Sequence, residues 1–229
     1  MDSVFQENTP SLASPAKRPL LSIIYLCDCS GSMAGSRIAA VNTAITKILP
    51  KLNALTGLYP QIDFQLGILS FANTAQWHLP PTLLSELAWS PLVDASGISS
   101  LGAAYCLLAD HLKNLTEQAT LAALQPLAPI LLLLSDGMPT DDVMAGLRIL
   151  SAQALAQQSW RFAIGIGPEV DQTVLQDWVQ VWKQSKPTEQ AAPAFIQLGT
   201  AESAVELREL VASFTLEPIR LLLADSSHG

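Results

Sequence analysis

The sequence predicts an α/β fold: a doubly wound, mostly parallel central sheet with helices on both faces. Three observations lead there. Leu21–Cys27 and the ILLLL run at 130–134 are almost wholly apolar and of strand length, the pattern of strands buried on both faces. Stretches with apolar residues three and four apart lie between such runs, so helices alternate with strands, as in βαβ units. Each of the two runs ends close to an aspartate and a glycine-containing turn, at Asp28 and at Asp136-Gly137. The carboxyl end of a central strand is where open α/β sheets place their ligands.

Taken in order, residues 1–19 carry Pro10, Pro15 and Pro19 among polar residues with no periodicity, which predicts a flexible arm. After the first strand, Ile38, Val41, Ile45, Ile48, Leu52 and Leu55 make the inner stripe of a long helix, broken or kinked near Pro50. Ile62, Phe64, Leu66 and Ile68 alternate with Asp63, Gln65 and Gly67, a strand with one more polar face that ends at Phe71. Gln76–Leu79 reads as an edge strand before Pro80-Pro81. Leu101, Tyr105, Leu108, Leu112 and Leu115 form the next helical stripe, with Ser99 and Ser100 at its start. The strand at 130–134 leads to a helix capped by Thr140 or Asp141, with Val143, Leu147 and Leu150 inward. Trp160, Phe162, Ile164 and Ile166 alternate as a strand. Asp171 opens a helix with Val174, Trp178 and Val181. Phe195–Leu198 is a short strand, and Val205, Leu207, Leu210, Val211 and Phe214 mark a last helix. One domain over residues 20–214, with a C-terminal tail at 215–229, accounts for the chain.

Composition narrows the function. Of 229 residues, 49% are hydrophobic and 14% charged, enough for a large core. The net charge of −8 argues against nucleic-acid binding, which relies on Lys and Arg neutralising phosphates. Three cysteines, Cys27, Cys29 and Cys106, give no disulfide framework and suit reduced thiols in a cytoplasmic protein. The apolar run after Lys17-Arg18 is short for a secretory signal, with Leu26 where a small residue belongs, and 130–134 is too short to span a bilayer. The reading is a soluble protein without membrane contact.

The chemistry centres on Asp28-Cys29-Ser30-Gly31-Ser32. Alternate residues of such a turn converge, bringing one carboxylate and two hydroxyls to a point. Hard oxygens of low total charge suit Mg²⁺, or Mn²⁺ as a substitute. Ser99 and Asp136 stand on two further loops at a helix start and a strand end.

DCSGS matches the D-x-S-x-S signature of von Willebrand factor A domains, and the chain resembles that family in topology over about residues 20–214. SGISSLGAAY resembles the family's Gly-Gly-Thr-x-Leu stretch, which places Ser99 at the threonine position. LLLLSDGMPTDD resembles its third-loop stretch, which places the aspartate at Asp136. The resemblance implies a Rossmann-like fold and a metal ion-dependent adhesion site made of Asp28, Ser30, Ser32, Ser99 and Asp136. It implies a binding module rather than an enzyme, with a partner protein supplying an acidic residue to Mg²⁺. Ser99 departs from the family's threonine but keeps the hydroxyl, with a freer rotamer. YLCDCSGSMAGSRI and SDGMPTDD resemble the intracellular, tellurium-resistance-associated members of the TerY type, which implies a phosphatase or kinase-like partner.

Other chemistries fit less well. A haloacid dehalogenase-type phosphatase also begins with an aspartate after its first strand but needs a second aspartate two residues on, where Ser30 stands. A metal-dependent phosphatase or hydrolase using the same strand-end aspartate is the alternative reading. Ser32 lacks the G-x-S-x-G setting of a hydrolase nucleophile. His78, His111 and His228 read as solvated, on an edge segment, a helix surface and the tail. Cys29 reads as a small buried hydrophobe rather than a redox handle, and Trp178 and Trp182 as packing residues.

Overall fold

A computed structural model describes residues 18–93, 95–121, 126–180 and 196–225. Their strands form one six-stranded sheet in the order β3-β2-β1-β4-β5-β6. These are β1 (Leu20–Asp28), β2 (Asp63–Phe71), β3 (Ala75–Leu83), β4 (Ile130–Ser135), β5 (Trp160–Ile166) and β6 (Ile196–Ala201). All neighbours are parallel except β2 and β3. Among the described residues six α-helices accompany them: α1 (Ser36–Leu58), α2 (Leu101–Leu121), α3 (Val143–Ser151), α4 (Ala154–Gln158), α5 (Gln172–Gln180) and α6 (Ala204–Asp225).

Alternation along β1 divides the core. Leu21, Ile23, Tyr25 and Cys27 face one cluster with Val41, Ile45 and Ile48 of α1 and Val211 and Phe214 of α6. Ile24 and Leu26 face the other, with Leu101, Tyr105 and Leu108 of α2, Leu147 of α3 and Trp178 of α5. Every described layer is therefore helix, sheet, helix. Because β1 is flanked by β2 on one side and β4 on the other, the chain reverses its direction of winding there. The carboxyl ends of β1 and β4 flank that switch point.

Several boundaries differ from the sequence expectation. Strand β2 is buried on both faces, because Gln65 donates its amide to the Ser22 hydroxyl at 2.7 Å inside the sheet. Strand β3 runs through Pro80-Pro81 rather than ending at Leu79. At a sheet edge the missing proline N–H costs little, and the pairing with β2 shifts register on either side of Ile68. Helix α1 continues through Pro50, whose exposed side leaves the buried stripe intact. The cap of α3 is Asp142, which accepts from Ala145 N at 2.9 Å, not Thr140 or Asp141.

The predicted tail from 215 is in part helix. Helix α6 extends to Asp225 and buries Thr215, Ile219 and Leu223. Tyr25 and Thr215 share a buried hydrogen bond of 2.7 Å, tying the central strand to this helix. Apart from Arg18 and Pro19, the arm expected at 1–19 lies outside the described residues. So do Val181, Trp182, Phe195 and His228.

Two packed side chains make direct predictions. Tyr105 stacks on Trp178 at 5.1 Å between ring centres, yet its buried hydroxyl has no hydrogen-bond partner among the described residues. Tyr105→Phe removes that unsatisfied group, so stability is expected to hold or rise by about 1 kcal/mol. A denaturant melt checks it, and a loss larger than that would mean the hydroxyl is bonded.

His111 is partly buried rather than solvated. Its ring meets Trp77 edge-on at 5.2 Å, and its Nε2 is buried without a hydrogen-bond partner among the described residues. Burial holds its pKa below the ordinary 6.5. The unfolded chain therefore takes up this proton before the folded one does. Stability is expected to fall as pH drops from about 6.5 through the lowered value, and His111→Phe should flatten that slope. Urea midpoints across this range decide it.

Candidate metal centre

The first loop is built on β1. Asp28, its last residue, is fully buried, and its Oδ1 accepts from Ser30 N at 2.8 Å, a local turn that swings the chain out of the sheet. A single 3₁₀ turn over Gly31–Met33 follows, with Met33 driven into the core beneath it. The Ser30 and Ser32 hydroxyls then lie 3.1 Å apart.

The second loop is hung on the first. Gly31 N donates to Gly97 O at 3.0 Å, and Ser96 N to Cys29 O at 2.9 Å. Gly97 has φ +79 and packs so closely on the Asn73 side chain that a Cβ would collide with its Oδ1. That same Oδ1 accepts from Ile98 N at 3.1 Å. Ser99, 2% exposed, is thereby delivered to Asp28, donating its hydroxyl to Oδ2 at 3.2 Å.

The third loop follows β4. The register Cys27↔Leu134 sets Asp28 beside Ser135, whose Oγ donates to Asp28 Oδ2 at 2.7 Å and accepts from Gly137 N at 2.9 Å. Asp136, 2% exposed, accepts from Met138 N at 3.3 Å. Thr140 donates from both its N, at 2.8 Å, and its hydroxyl, at 3.2 Å, to Ser99 O, which fastens the third loop to the second.

All five residues singled out in the sequence thus meet in one cluster. Two more belong to it that sequence reasoning assigned no role. Ser135 is the second hydroxyl donor to Asp28. Arg37 reaches from α1 to within 3.4 Å of Asp136 Oδ2 while donating to Ser32 O at 3.0 Å. The alternating D-x-S run was visible locally. A hydroxyl contributed by a neighbouring strand was signalled only by a polar residue closing an otherwise apolar run.

Burial pushes the Asp28 carboxyl above its usual range, and the nearby Asp136 charge adds to this, against the hydrogen bonds from Ser30 and Ser135. Such a carboxylate gains most from a cation. Among the described residues no group of three or more His, Cys, Asp or Glu side chains is placed to hold a metal ion, so hydroxyls must complete any ligand set here. The donor set is two carboxylates and three hydroxyls, hard oxygens that fit Mg²⁺ or Mn²⁺ and not a soft ion. Cys29 offers no competing thiolate: burial, with the Asp28 charge, pushes its pKa up to about 12.

The profile of the von Willebrand factor type A domain matches residues 22–195. This chain belongs to that family. No curated protein matches its sequence. Solved structures share the fold at low identity. Proximal thread matrix protein 1 from the mussel byssus is 17% identical, with TM-score 0.52 over 86% of this chain and 48% of that one. The pilus adhesin SpaC of Lactobacillus rhamnosus GG is 15% identical, with TM-score 0.55 over 86% of this chain and 29% of that one. BatB from Bacteroides thetaiotaomicron, a conserved hypothetical protein, is 13% identical, with TM-score 0.54 over 88% and 99%. The chain therefore spans less than half the length of the byssus protein and of the adhesin. Von Willebrand factor A domains commonly serve as protein-interaction and adhesion modules. No helix among the described residues is long and apolar enough to cross a membrane.

Proposed function

We propose that this domain is a metal-dependent protein-interaction module. Mg²⁺, or Mn²⁺ in its place, is held by Asp28, Ser30, Ser32, Ser99 and Asp136 and offers an open coordination position to a partner's Asp or Glu. The convergence of these five side chains at the switch point of the sheet carries the reading. Three of the five ligands are neutral hydroxyls, so the ion keeps a coordination position that an incoming carboxylate fills. The surroundings suit a protein ligand, since Ile98 and Met138 on the second and third loops are 53% and 52% exposed.

The domain acts by binding and not by catalysis. The described histidines are engaged elsewhere, His78 with Ser90 O at 2.8 Å and His111 against Trp77, so neither stands as a base beside Asp28. The likeness of YLCDCSGSMAGSRI and SDGMPTDD to the TerY type supports a cytoplasmic setting in a bacterial stress or tellurium-resistance system. A phosphatase or kinase-like protein is the corresponding partner.

Affinity capture from cell extract tests the reading, in Mg²⁺, in chelator, and with Asp136→Ala. Loss of a charge-completing ligand from an interface costs about 2–5 kcal/mol, so chelator and substitution should each release most of the captured partner. Partners retained unchanged in chelator would place binding on another surface. Mg²⁺-dependent turnover of a phosphate ester, lost in Asp28→Ala, would instead favour a hydrolase.

A further inference from the structure

The cluster is more than two carboxylates and three hydroxyls, because a cation from the chain stands in it. Arg37 Nη1 lies 3.4 Å from Asp136 Oδ2 and donates to Ser32 O at 3.0 Å. Its side chain is 27% exposed and that of Asp136 2%. The guanidinium packs against the turn after β5, where a Cβ on Gly167 would sit 2.9 Å from its Cζ and Nη2. Arg37 thus touches two of the five proposed ligand residues and is held there by the close approach of a third segment.

We propose that Arg37 makes metal and acidic ligand bind together rather than in turn. This rests on the metal-centre reading above. Two carboxylates would almost neutralise a divalent ion. With Arg37 paired to Asp136, the ion faces a net single negative charge and keeps a net positive one, which an incoming carboxylate cancels. Metal alone is then held weakly, and the ligand's charge completes the site. A full charge within a few ångströms of a divalent ion at a partly exposed site changes affinity by about tenfold.

Calorimetric titration with Mn²⁺ tests this on the purified protein, with and without excess acetate as the carboxylate probe, at matched ionic strength. Arg37→Gln is expected to bind Mn²⁺ alone about tenfold more tightly than wild type, and Arg37→Lys, which keeps the charge, to stay near wild type. Acetate should tighten Mn²⁺ binding in wild type and do so much less in Arg37→Gln. A purely structural brace would move affinity the other way, since loosening the loops weakens the site. A melt in chelator reads the pair without metal: Arg37→Gln should lower the midpoint in wild type and lower it less in an Asp136→Asn background, where only its Ser32 and Gly167 contacts are lost. Mn²⁺ binding that is equal or weaker in Arg37→Gln overturns this proposal alone. Absence of Mn²⁺ binding in both wild type and Arg37→Gln overturns the metal centre and this proposal with it.

Discussion

Mg²⁺ or Mn²⁺ is expected to raise the melting temperature of the unaltered domain, and Asp28→Ala to abolish that rise. An ion bound only by the folded state stabilises it by RT ln(1 + [L]/Kd), about 2.7 kcal/mol at a hundredfold excess over Kd. For a domain of this size that is a shift of about 5–10 °C. Asp28 is the hub of the cluster, because its two oxygens take the hydrogen bonds of Ser30 N, the Ser99 hydroxyl and the Ser135 hydroxyl. Alanine therefore removes a proposed ligand and also the acceptor that orients two hydroxyls from other loops. In chelator the variant carries two opposed changes: three donors lose their acceptor, while a buried carboxyl that resists ionisation disappears. The informative quantity is accordingly the difference between melts with and without metal. An equal metal-dependent rise in wild type and Asp28→Ala would place any bound ion elsewhere.

Much of this fold was legible because parallel strands under two helical layers must be apolar throughout. Leu21–Cys27 and Ile130–Leu134 could hardly read as anything else. The misreadings fall where tertiary pairing overrides a local pattern. Gln65 reads as part of a strand's more polar face until its partner Ser22 is found 43 positions earlier. The sequence reading carries the last helix to Phe214 and makes 215–229 a tail. Yet Val211, Thr215, Ile219 and Leu223 continue one buried stripe at four-residue spacing, and the Thr215 hydroxyl is satisfied by Tyr25. At the centre, Asp28, Ser30 and Ser32 are a local motif, and two loops could be matched to it by resemblance. Ser135 and Arg37 could not, because strand register and the reach of a long side chain across loops leave no local periodicity. Asp141 shows the same limit. Its carboxylate caps α2 across 39 residues, taking Gly102 N at 3.0 Å and Ala103 N at 2.9 Å, while its neighbour Asp142 caps the helix that follows.

That cap points to the substitution with the largest expected cost to the fold. Helices α2 and α3 cross with almost no space between their backbones. A Cβ on Gly146 would run into Gly102 O and lie 2.9 Å from the Gly102 carbonyl carbon and Cα, while a Cβ on Gly102 would lie 2.5 Å from Asp142 O. The obstructing atoms are helix and cap backbone, which cannot turn aside as a side chain would. Gly146→Ala is therefore expected to destabilise by about 3 kcal/mol, the upper range of overpacking, or about 6–12 °C in melting temperature. Gly57, in α1, has nothing within 4 Å of its would-be Cβ, so Gly57→Ala should leave stability unchanged or slightly raised. The cost at Gly146 should also reach the centre. Helix α2 begins two residues after Ser99, and Asp141 and Thr140 bind the second loop to the third. Driving α3 from α2 strains that joint and separates Ser99 from Asp136. Gly146→Ala should consequently show a smaller metal-dependent rise than wild type, with Asp28, Ser30 and Ser32 all unaltered. Melts of both variants with and without Mn²⁺ decide the matter: a Gly146→Ala protein as stable as Gly57→Ala would mean the two helices yield, and the close crossing would not be what sets the loops.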